Sequence, residues 1–258
     1  MKQLLTILVS LVLVYGPFVQ PVAASWLMVL SGSVPAGSSP GTTSLLAYYA
    51  LEDANDSHSG AKNLSVGAGA PTYTAGKVNN AMLIDAAEWL TRADEAAFEP
   101  GSTAWSVSLW FNATDATPTG AQGIATKWLT TGNQRTWRIS QEVAGTTQFF
   151  VSTDGTANVS VATTDTRSDA TWYHCVVVYV PSTSIKIYIN GSLNNTNTTS
   201  IPASLFGGTA AFEIGTYTGS GNSFRGQIDE CSLYTKELTA ANVTWLYNAG
   251  SGRTYADL

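Results

Sequence analysis

The stretch Trp105–Asn112, WSVSLWFN, alternates without a break. Trp105, Val107, Leu109 and Phe111 fall on one side, and Ser106, Ser108, Trp110 and Asn112 on the other. Only an extended strand puts residues i, i+2 and i+4 on one face, so this chain must build a sheet with an apolar side to bury. The same period recurs at Ile185–Asn190, where Ile185, Ile187 and Ile189 oppose Lys186, Tyr188 and Asn190. Trp172–Val180 is apolar on both sides, as expected of a central strand. Trp110 breaks the pattern of small polar groups on its own side; a ring there is either a ligand platform or a residue covered by a loop.

Further strands read at Leu45–Asp53, Gly123–Trp128, 136–142, 147–153, Asn158–Thr163, Phe212–Gly215 and Gln227–Tyr234, with turns at Asp154-Gly155 and Asn190-Gly191. A corner at Lys236–Leu238 leads to a short helix capped by Thr239 and stopped by Gly250. About twelve short strands, one helix and no repeat describe an all-β, two-sheet antiparallel sandwich. Strand spacing alone fits a jelly roll or an immunoglobulin-like sandwich.

Residues 1–24 read as a signal peptide. Met1-Lys2 is a minimal positive region, Leu4–Tyr15 an apolar run, and Val22-Ala23-Ala24 a small-residue cleavage site. The rival reading is an uncleaved anchor reaching Leu30, although the unbroken run is short of the roughly 20 residues a bilayer span needs. Residues 25–44, rich in Ser, Gly and Pro, form a linker that cannot bury enough apolar surface to fold alone. The domain then occupies residues 45–258, and the chain is secreted or displayed at the cell surface. Twelve Lys and Arg against eighteen Asp and Glu give a net charge of −6, which opposes nucleic-acid binding and permits calcium and neutral sugars. Two cysteines, Cys175 and Cys231, stand 56 residues apart in strands of one domain. In an exported chain they pair as one disulfide, worth roughly 4 kcal/mol by loop entropy, or they pack as two buried thiols; the sequence leaves both open.

The closing segment reads Gly226-Gln227-Ile228-Asp229-Glu230, then Tyr234, then Leu238-Thr239. Upstream stand Gly76-Lys77 with Ala81-Met82-Leu83-Ile84-Asp85, and the turn Asp56-Ser57-His58-Ser59-Gly60. Together with Trp172–Leu193 and Ser106–Ala113, these elements resemble the laminin G-like jelly roll of the concanavalin A-like superfamily, over about residues 45–250. The resemblance decides for the jelly roll. It also implies a structural calcium held between the N-terminal strand and an aspartate of the closing strand, which Asp229 matches. The turn Glu52-Asp53-Ala54-Asn55-Asp56 adds the carboxylates Glu52, Asp53 and Asp56, oxygen donors of the kind a hard cation needs. The alternative is that Asp53 and Asp56 cap turns while Asp229 accepts from backbone amides.

Glycosidases of this fold carry an E-x-D-x-E pattern on one strand, and none occurs here. Asp94, Glu95 and Glu99 read as a solvated loop, and His174 as a packed strand residue. Nucleophile-elbow, zinc and Walker motifs are absent, so the chain reads as non-catalytic. For sugars, aromatic faces beside Asn, Gln or Arg are the apt chemistry. Trp128 and Trp137 flank a loop carrying Asn133, Gln134 and Arg135, and a second loop carries Tyr217, Asn222, Phe224 and Arg225. Each of these aromatics contacts a ligand or packs its loop on the sheet. Trp89, Trp105, Trp172 and Trp245 read as packing. Eight Asn-x-Ser/Thr sequons follow from the Ser- and Thr-rich composition. The reading is an exported, non-catalytic binding or adhesion domain for a glycan or a cell-surface protein. It would touch a membrane only through an uncleaved N-terminus. The alternative is a structural surface component, and the third reading is a carbohydrate-active enzyme.

Overall fold

The computed structural model describes residues 37–85, 87–217 and 222–258. The signal-peptide segment and the first part of the linker lie outside the described residues. The strands are β1 (Leu45–Tyr49), β2 (Ser65–Ala68), β3 (Thr72–Ala75), β4 (Asn80–Ile84), β5 (Trp89–Arg92), β6 (Trp105–Ala113), β7 (Gln122–Leu129) and β8 (Gln134–Gln141). They continue with β9 (Thr147–Ser152), β10 (Asn158–Ala162), β11 (Trp172–Val180), β12 (Ser184–Ile189), β13 (Ser192–Asn197), β14 (Phe212–Ile214) and β15 (Gly226–Tyr234), before the helix α1 (Ala240–Tyr247). Sheet I runs β13-β12-β11-β6-β15-β4-β3, with β1 also on β15, and sheet II runs β10-β9-β8-β7-β14-β5-β2. Every pair is antiparallel. The expected two-sheet jelly-roll sandwich is the fold. The sequence reading has no strand at β2, β3, β4, β5 or β13; of these, β2, β3 and β5 are four residues each and mostly exposed or half-buried. Such short segments, of which β2 and β3 are sheet edges, bury too little to leave a period in the sequence.

The alternating residues of β6 and β12 do what their period requires. Trp105, Val107, Leu109, Phe111, Ile185, Ile187 and Ile189 pack against Trp137, Ile139, Phe149, Phe212 and Ile214 of sheet II. β11 is apolar on both faces because both are covered: Cys175, Val177 and Tyr179 face the core, while Val176 and Val178 lie under Val243 and Leu246 of α1. Trp110 is on this second face. It is buried beneath the C-terminal segment, stacked on Tyr247 at 5.7 Å between ring centroids. It is therefore a covered residue and not a ligand platform.

The turn Asn190-Gly191 has both residues left-handed, with φ of 49° and 81°, as a two-residue hairpin of matching twist requires. Thr239 caps α1 as expected, its side chain accepting from Asn242 N at 3.2 Å. The helix stops earlier than Gly250. Asn248 takes the left-handed C-cap position, with φ of 50°. Residues 37–44, read as linker, are docked: Asn242 Nδ2 donates to Ser38 O at 2.9 Å, and Ser39 Oγ donates to Leu258 O at 3.2 Å. The packed unit therefore includes Gly37, ahead of Leu45. Asn195 and Asn197 of β13 donate to the carbonyls of Ala162 and Ser160 on β10, at 2.8 and 2.9 Å, and so join the two free sheet edges. The Asn-rich run at 194–197 is an edge clasp.

The disulfide does not form. Cys175 and Cys231 are free and buried. In sheet I, β6 lies between their strands, with Leu109 facing Cys175. Two strand spacings put their Cα atoms about 9–10 Å apart, beyond the roughly 7 Å a disulfide spans. Burial pushes the Cys175 thiol up to about 12 and the Cys231 thiol higher. Non-reducing alkylation should therefore label neither cysteine in the folded protein and both in denaturant. A Cys175–Cys231 peptide in a non-reducing digest would contradict this arrangement.

Candidate functional site on the outer face of sheet II

Helix α1 and the C-terminal residues cover the outer face of sheet I. The outer face of sheet II carries a row of side chains in register across all its strands. Ser65 opposes Thr91, Thr91 opposes Glu213, Glu213 opposes Thr126, Thr126 opposes Arg138, Arg138 opposes Phe150, and Phe150 opposes Ser160. Their neighbours along each strand, such as Phe212, Ile214, Ala125, Trp137, Ile139 and Phe149, point into the core. The alternation of the sheet thus holds this row outward.

Arg138 is the centre of the row's β8–β9 end. Its guanidinium lies 4.1 Å from the Phe150 ring centroid, 4.3 Å from that of Tyr217 and 5.3 Å from that of Trp128. Each such contact contributes about 0.5–2 kcal/mol, more as water is excluded. Nη2 reaches Glu142 Oε1 at 3.3 Å, and Ser140 Oγ donates to the same oxygen at 2.6 Å. Burial draws the Arg138 pKa below its ordinary value, against the opposing effects of Tyr217 and Glu142. Arg135 lies 6.0 Å from Trp128 and donates to Thr156 O at 2.6 Å. The result is a stack of planar groups of which Phe150, Tyr217 and Arg135 remain half-exposed.

Glu213 stands two strands away on β14. Among the described residues its carboxylate has neither a hydrogen-bond donor nor a cation partner, and burial alone raises its pKa to about 7. Beyond it, at the β5–β2 end of the row, opens a polar cleft of about 330 Å³ bordered by Asn63, Ser65, Thr91, Arg92, Asp94 and Glu95.

The structure brings together Trp128, Arg135 and Tyr217, which the sequence placed on two separate loops, but Trp128 is buried under the two arginines and only Arg135 and Tyr217 are half-exposed. It separates others from them. Trp137 and Phe224 are fully buried core residues, Trp137 donating its indole N–H to Phe98 O at 3.0 Å. They are structural and not ligand contacts: Trp137 shares the inward parity of Ile139, and Phe224 packs edge-on against Phe111 at 6.2 Å. Asn133 is exposed in the turn before β8. Arg225 is exposed at the other end of the sheet, its backbone N–H donating to Gln122, and Asn222 is half-buried nearby in the chain. Arg138 and Phe150 were missed, although a signal existed. In Phe149-Phe150 one ring must face each side of a strand, so one of them had to be outward.

Glu52, Asp53, Asp56 and Asp229 do not form one ligand set for calcium. Asp56 knots its own loop. It accepts from Tyr48 N and His58 N at 3.0 Å each and from Ser59 Oγ at 2.8 Å. Burial alone would raise the Asp56 pKa, but these donors outweigh it and hold the carboxyl below its ordinary range. Asp53 is spent on Asn55, at 2.7 Å to its backbone N and 2.6 Å to its amide. Asp229 Oδ2 accepts from Lys77 N at 2.8 Å and Val78 N at 2.9 Å. A bulge in β15, with Glu230 at φ 50°, turns the consecutive residues Asp229 and Glu230 to the same side. Glu230 there hydrogen-bonds Tyr48 Oη, and burial followed by the charges of Asp229 and Glu52 raises its pKa to about 9 against the effect of that bond. Among the described residues no three His, Cys, Asp or Glu side chains are grouped to hold a metal ion. His174 is buried against Ser108 Oγ at 2.9 Å, and burial lowers its pKa to about 3, as its packed reading requires.

Residues 85–244, more than half of the chain, match the laminin G-type family model described as concanavalin A-like lectin/glucanases superfamily. The chain belongs to this family. The laminin G-like resemblance carried by the closing strand is thereby confirmed. No curated protein matches the chain. Among solved structures, this laminin G-type chain is similar to domain 4 of AbnA, an extracellular GH43 arabinanase from Geobacillus stearothermophilus, in complex with arabinotriose. The two share 23% identity and a TM-score of 0.64, over 78% of this chain and 97% of that one. It is also similar to the binding domain of Paraclostridial Mosquitocidal Protein 1, at 14% identity and TM-score 0.67, over 80% of this chain and 52% of that one. A third likeness is to the botulinum neurotoxin serotype D ligand-binding domain in complex with N-acetylneuraminic acid, at 14% identity and TM-score 0.61, over 80% of this chain and 50% of that one. The chain thus spans about half the length of each toxin domain. At these identities the likenesses establish a shared fold.

Proposed function

We propose that this chain is a non-catalytic, extracellular glycan-binding domain whose sugar platform is the outer face of sheet II. The observation that carries the reading is the arginine–aromatic stack of Arg138, Phe150, Tyr217 and Trp128 on the face that α1 does not cover. Sugars offer an apolar face and a rim of hydroxyls. Half-exposed rings beside Arg135, Gln148 and Ser160 match both. Glycan complexes of similarly folded domains, with arabinotriose and with N-acetylneuraminic acid, support the reading. The row holds one carboxylate, Glu213, whereas glycoside hydrolysis needs a pair; this supports a binding role. Among the described residues no helix is long and apolar enough to cross a membrane.

The full chain on a glycan and polysaccharide array should bind a defined sugar, equally in calcium and in chelator. Tyr217→Ala and Phe150→Ala should each weaken that binding at least about tenfold, or 1.4 kcal/mol, while melting stays cooperative. Array binding that survives both substitutions would move the site elsewhere. An empty array would turn the search to protein partners.

A further inference from the structure

Going beyond sugar binding, and resting only on the extracellular part of that reading, we infer that three of the eight Asn-x-Ser/Thr sequons are acceptor sites for N-linked glycan. They are Asn55, Asn63 and Asn158. The fold withholds the other five.

The sequons are too many for composition alone. Fourteen asparagines and 59 serines and threonines in 258 residues would give about three. Eight stand in the chain, which corrects a purely compositional account of them. The structure then separates the eight. The reaction joins asparagine Nδ2 to C1 of an oligosaccharide carried on a lipid pyrophosphate. The C1–O bond to the pyrophosphate breaks, Nδ2 gives up one proton, and the lipid pyrophosphate leaves. The product keeps one N–H on Nδ2 and carries a bulky, hydrated chain, so it needs a surface position.

Asn55, Asn63 and Asn158 are all exposed. Asn158 opens β10, and its side-chain amide has no hydrogen bond among the described residues. Asn63 uses only its Oδ1, which accepts from Asp56 N at 2.8 Å. Asn55 donates to Asp53 Oδ2 at 2.6 Å, a bond that the remaining N–H keeps after modification. The loop that carries Asn55 and Asn63 is knotted by Asp56 through Tyr48 N, His58 N and Ser59 Oγ, and neither Nδ2 takes part.

The other five are built into the fold. Asn112 is half-buried in mid-sheet, between Trp172 and Gln227. Asn190 is half-buried in its left-handed turn, with Oδ1 accepting from His174 N at 2.9 Å. On β13, Asn194 Nδ2 donates to Asp165 Oδ1 at 2.7 Å, and Asn197 Nδ2 to Ser160 O at 2.9 Å. Asn242 is 8% exposed and its Nδ2 donates to Ser38 O at 2.9 Å, so a sugar there would displace Ser38 from α1.

The test is expression of the full chain through the secretory pathway of a eukaryotic host, which supplies transferase and donor. Enzymatic release of N-glycans in heavy-oxygen water turns each occupied asparagine into a labelled aspartate, and peptide mass spectrometry reads all eight sequons. In secreted protein that melts cooperatively, at least two of Asn55, Asn63 and Asn158 should be labelled in most chains, and the other five in few. Label at fewer than two of the exposed three would overturn the assignment. Label in most chains at Asn194, Asn197 or Asn242, with melting unchanged, would overturn the argument from engagement in the fold. Where glycans on the five stop secretion, a combined variant settles the matter: Thr114→Ala, Ser192→Ala, Thr196→Ala, Thr199→Ala and Thr244→Ala together remove those sequons and keep every asparagine. That variant is judged on the exposed three alone. The host supplies the export route, so an empty glycan array would sink the sugar platform and leave this assignment standing.

Discussion

Lys127→Ala should lower stability by about 3 kcal/mol, a loss of roughly 6–12 °C in melting temperature for a domain of this size. The Lys127 side chain is completely buried. Its ammonium donates to Gly208 O at 2.9 Å, Ala210 O at 2.7 Å and Asp94 Oδ1 at 2.6 Å, with Glu99 Oε1 at 3.4 Å. It therefore holds the strand β7 to the loop before β5's neighbour β14 and to the loop after β5. The carboxylates of Asp94 and Glu99 are 39% and 21% exposed, so water can replace the ammonium on them. The two carbonyls are the costlier loss, at about 1–3 kcal/mol for each buried acceptor left unmade. Lys127→Met is the discriminating control, since it restores most of the volume and none of the donors. If Lys127→Met melts near the parent protein, the loss in Lys127→Ala is a cavity effect, and the ion and carbonyl network is not the cause.

Asp229→Ala should cost about 2–4 kcal/mol, because it strips the acceptor from the two backbone N–H groups of Lys77 and Val78. The loss should be equal in calcium and in chelator. Asp229→Asn keeps an acceptor oxygen and should be milder, with a pH signature. Burial, opposed by those backbone donors, raises the Asp229 pKa to about 7 from its ordinary 3.8. For a carboxyl raised in the folded state, the protonated form is the one the fold prefers. Its stabilising contribution is complete below the unfolded pKa near 4 and is lost as pH rises through about 7. Melting temperature should therefore fall from pH 5 to pH 8. Asp229→Asn should gain on the parent protein over that interval. Glu230, raised in the same direction, keeps part of the slope. Asp56 has the opposite sign: its contribution is present above the unfolded pKa and disappears as pH falls through the lower folded value, which steepens acid unfolding. A parallel pH dependence in Asp229→Asn and the parent protein would refute the assignment to Asp229.

The candidate site was legible in part, for a definite reason. Trp128, Arg135 and Tyr217 are aromatic or charged groups near loops, and composition draws attention to such groups. Arg138 and Phe150 lie inside strands, where an isolated Arg or one ring of a Phe pair reads as ordinary. What makes them a site is that β7, β8 and β9 are neighbours and that Tyr217 comes over Arg138 from a loop far along the chain. Trp137 and Phe224 carried the same compositional signal as Trp128. Strand parity and packing put them inside.

The residues of β6 and β12 announce their strands by alternation, because a period of two is a local property that one buried face imposes, and β11 announces itself as an unbroken apolar run covered on both faces. The sequence by itself also determined the Asn190-Gly191 hairpin, the Thr239 cap and, through the closing strand Gly226–Tyr234, the family. Which strands are neighbours is set by long-range packing. That placed β6 between Cys175 and Cys231 and kept both as thiols. It set Asp56 and Asp229 against backbone amides from elsewhere in the chain. It also aligned Ser65, Thr91, Glu213, Thr126, Arg138, Phe150 and Ser160 into one row. These residues are up to 148 positions apart in the chain, and lateral pairing across a sheet is set by the global packing of both layers rather than by any local run of residues.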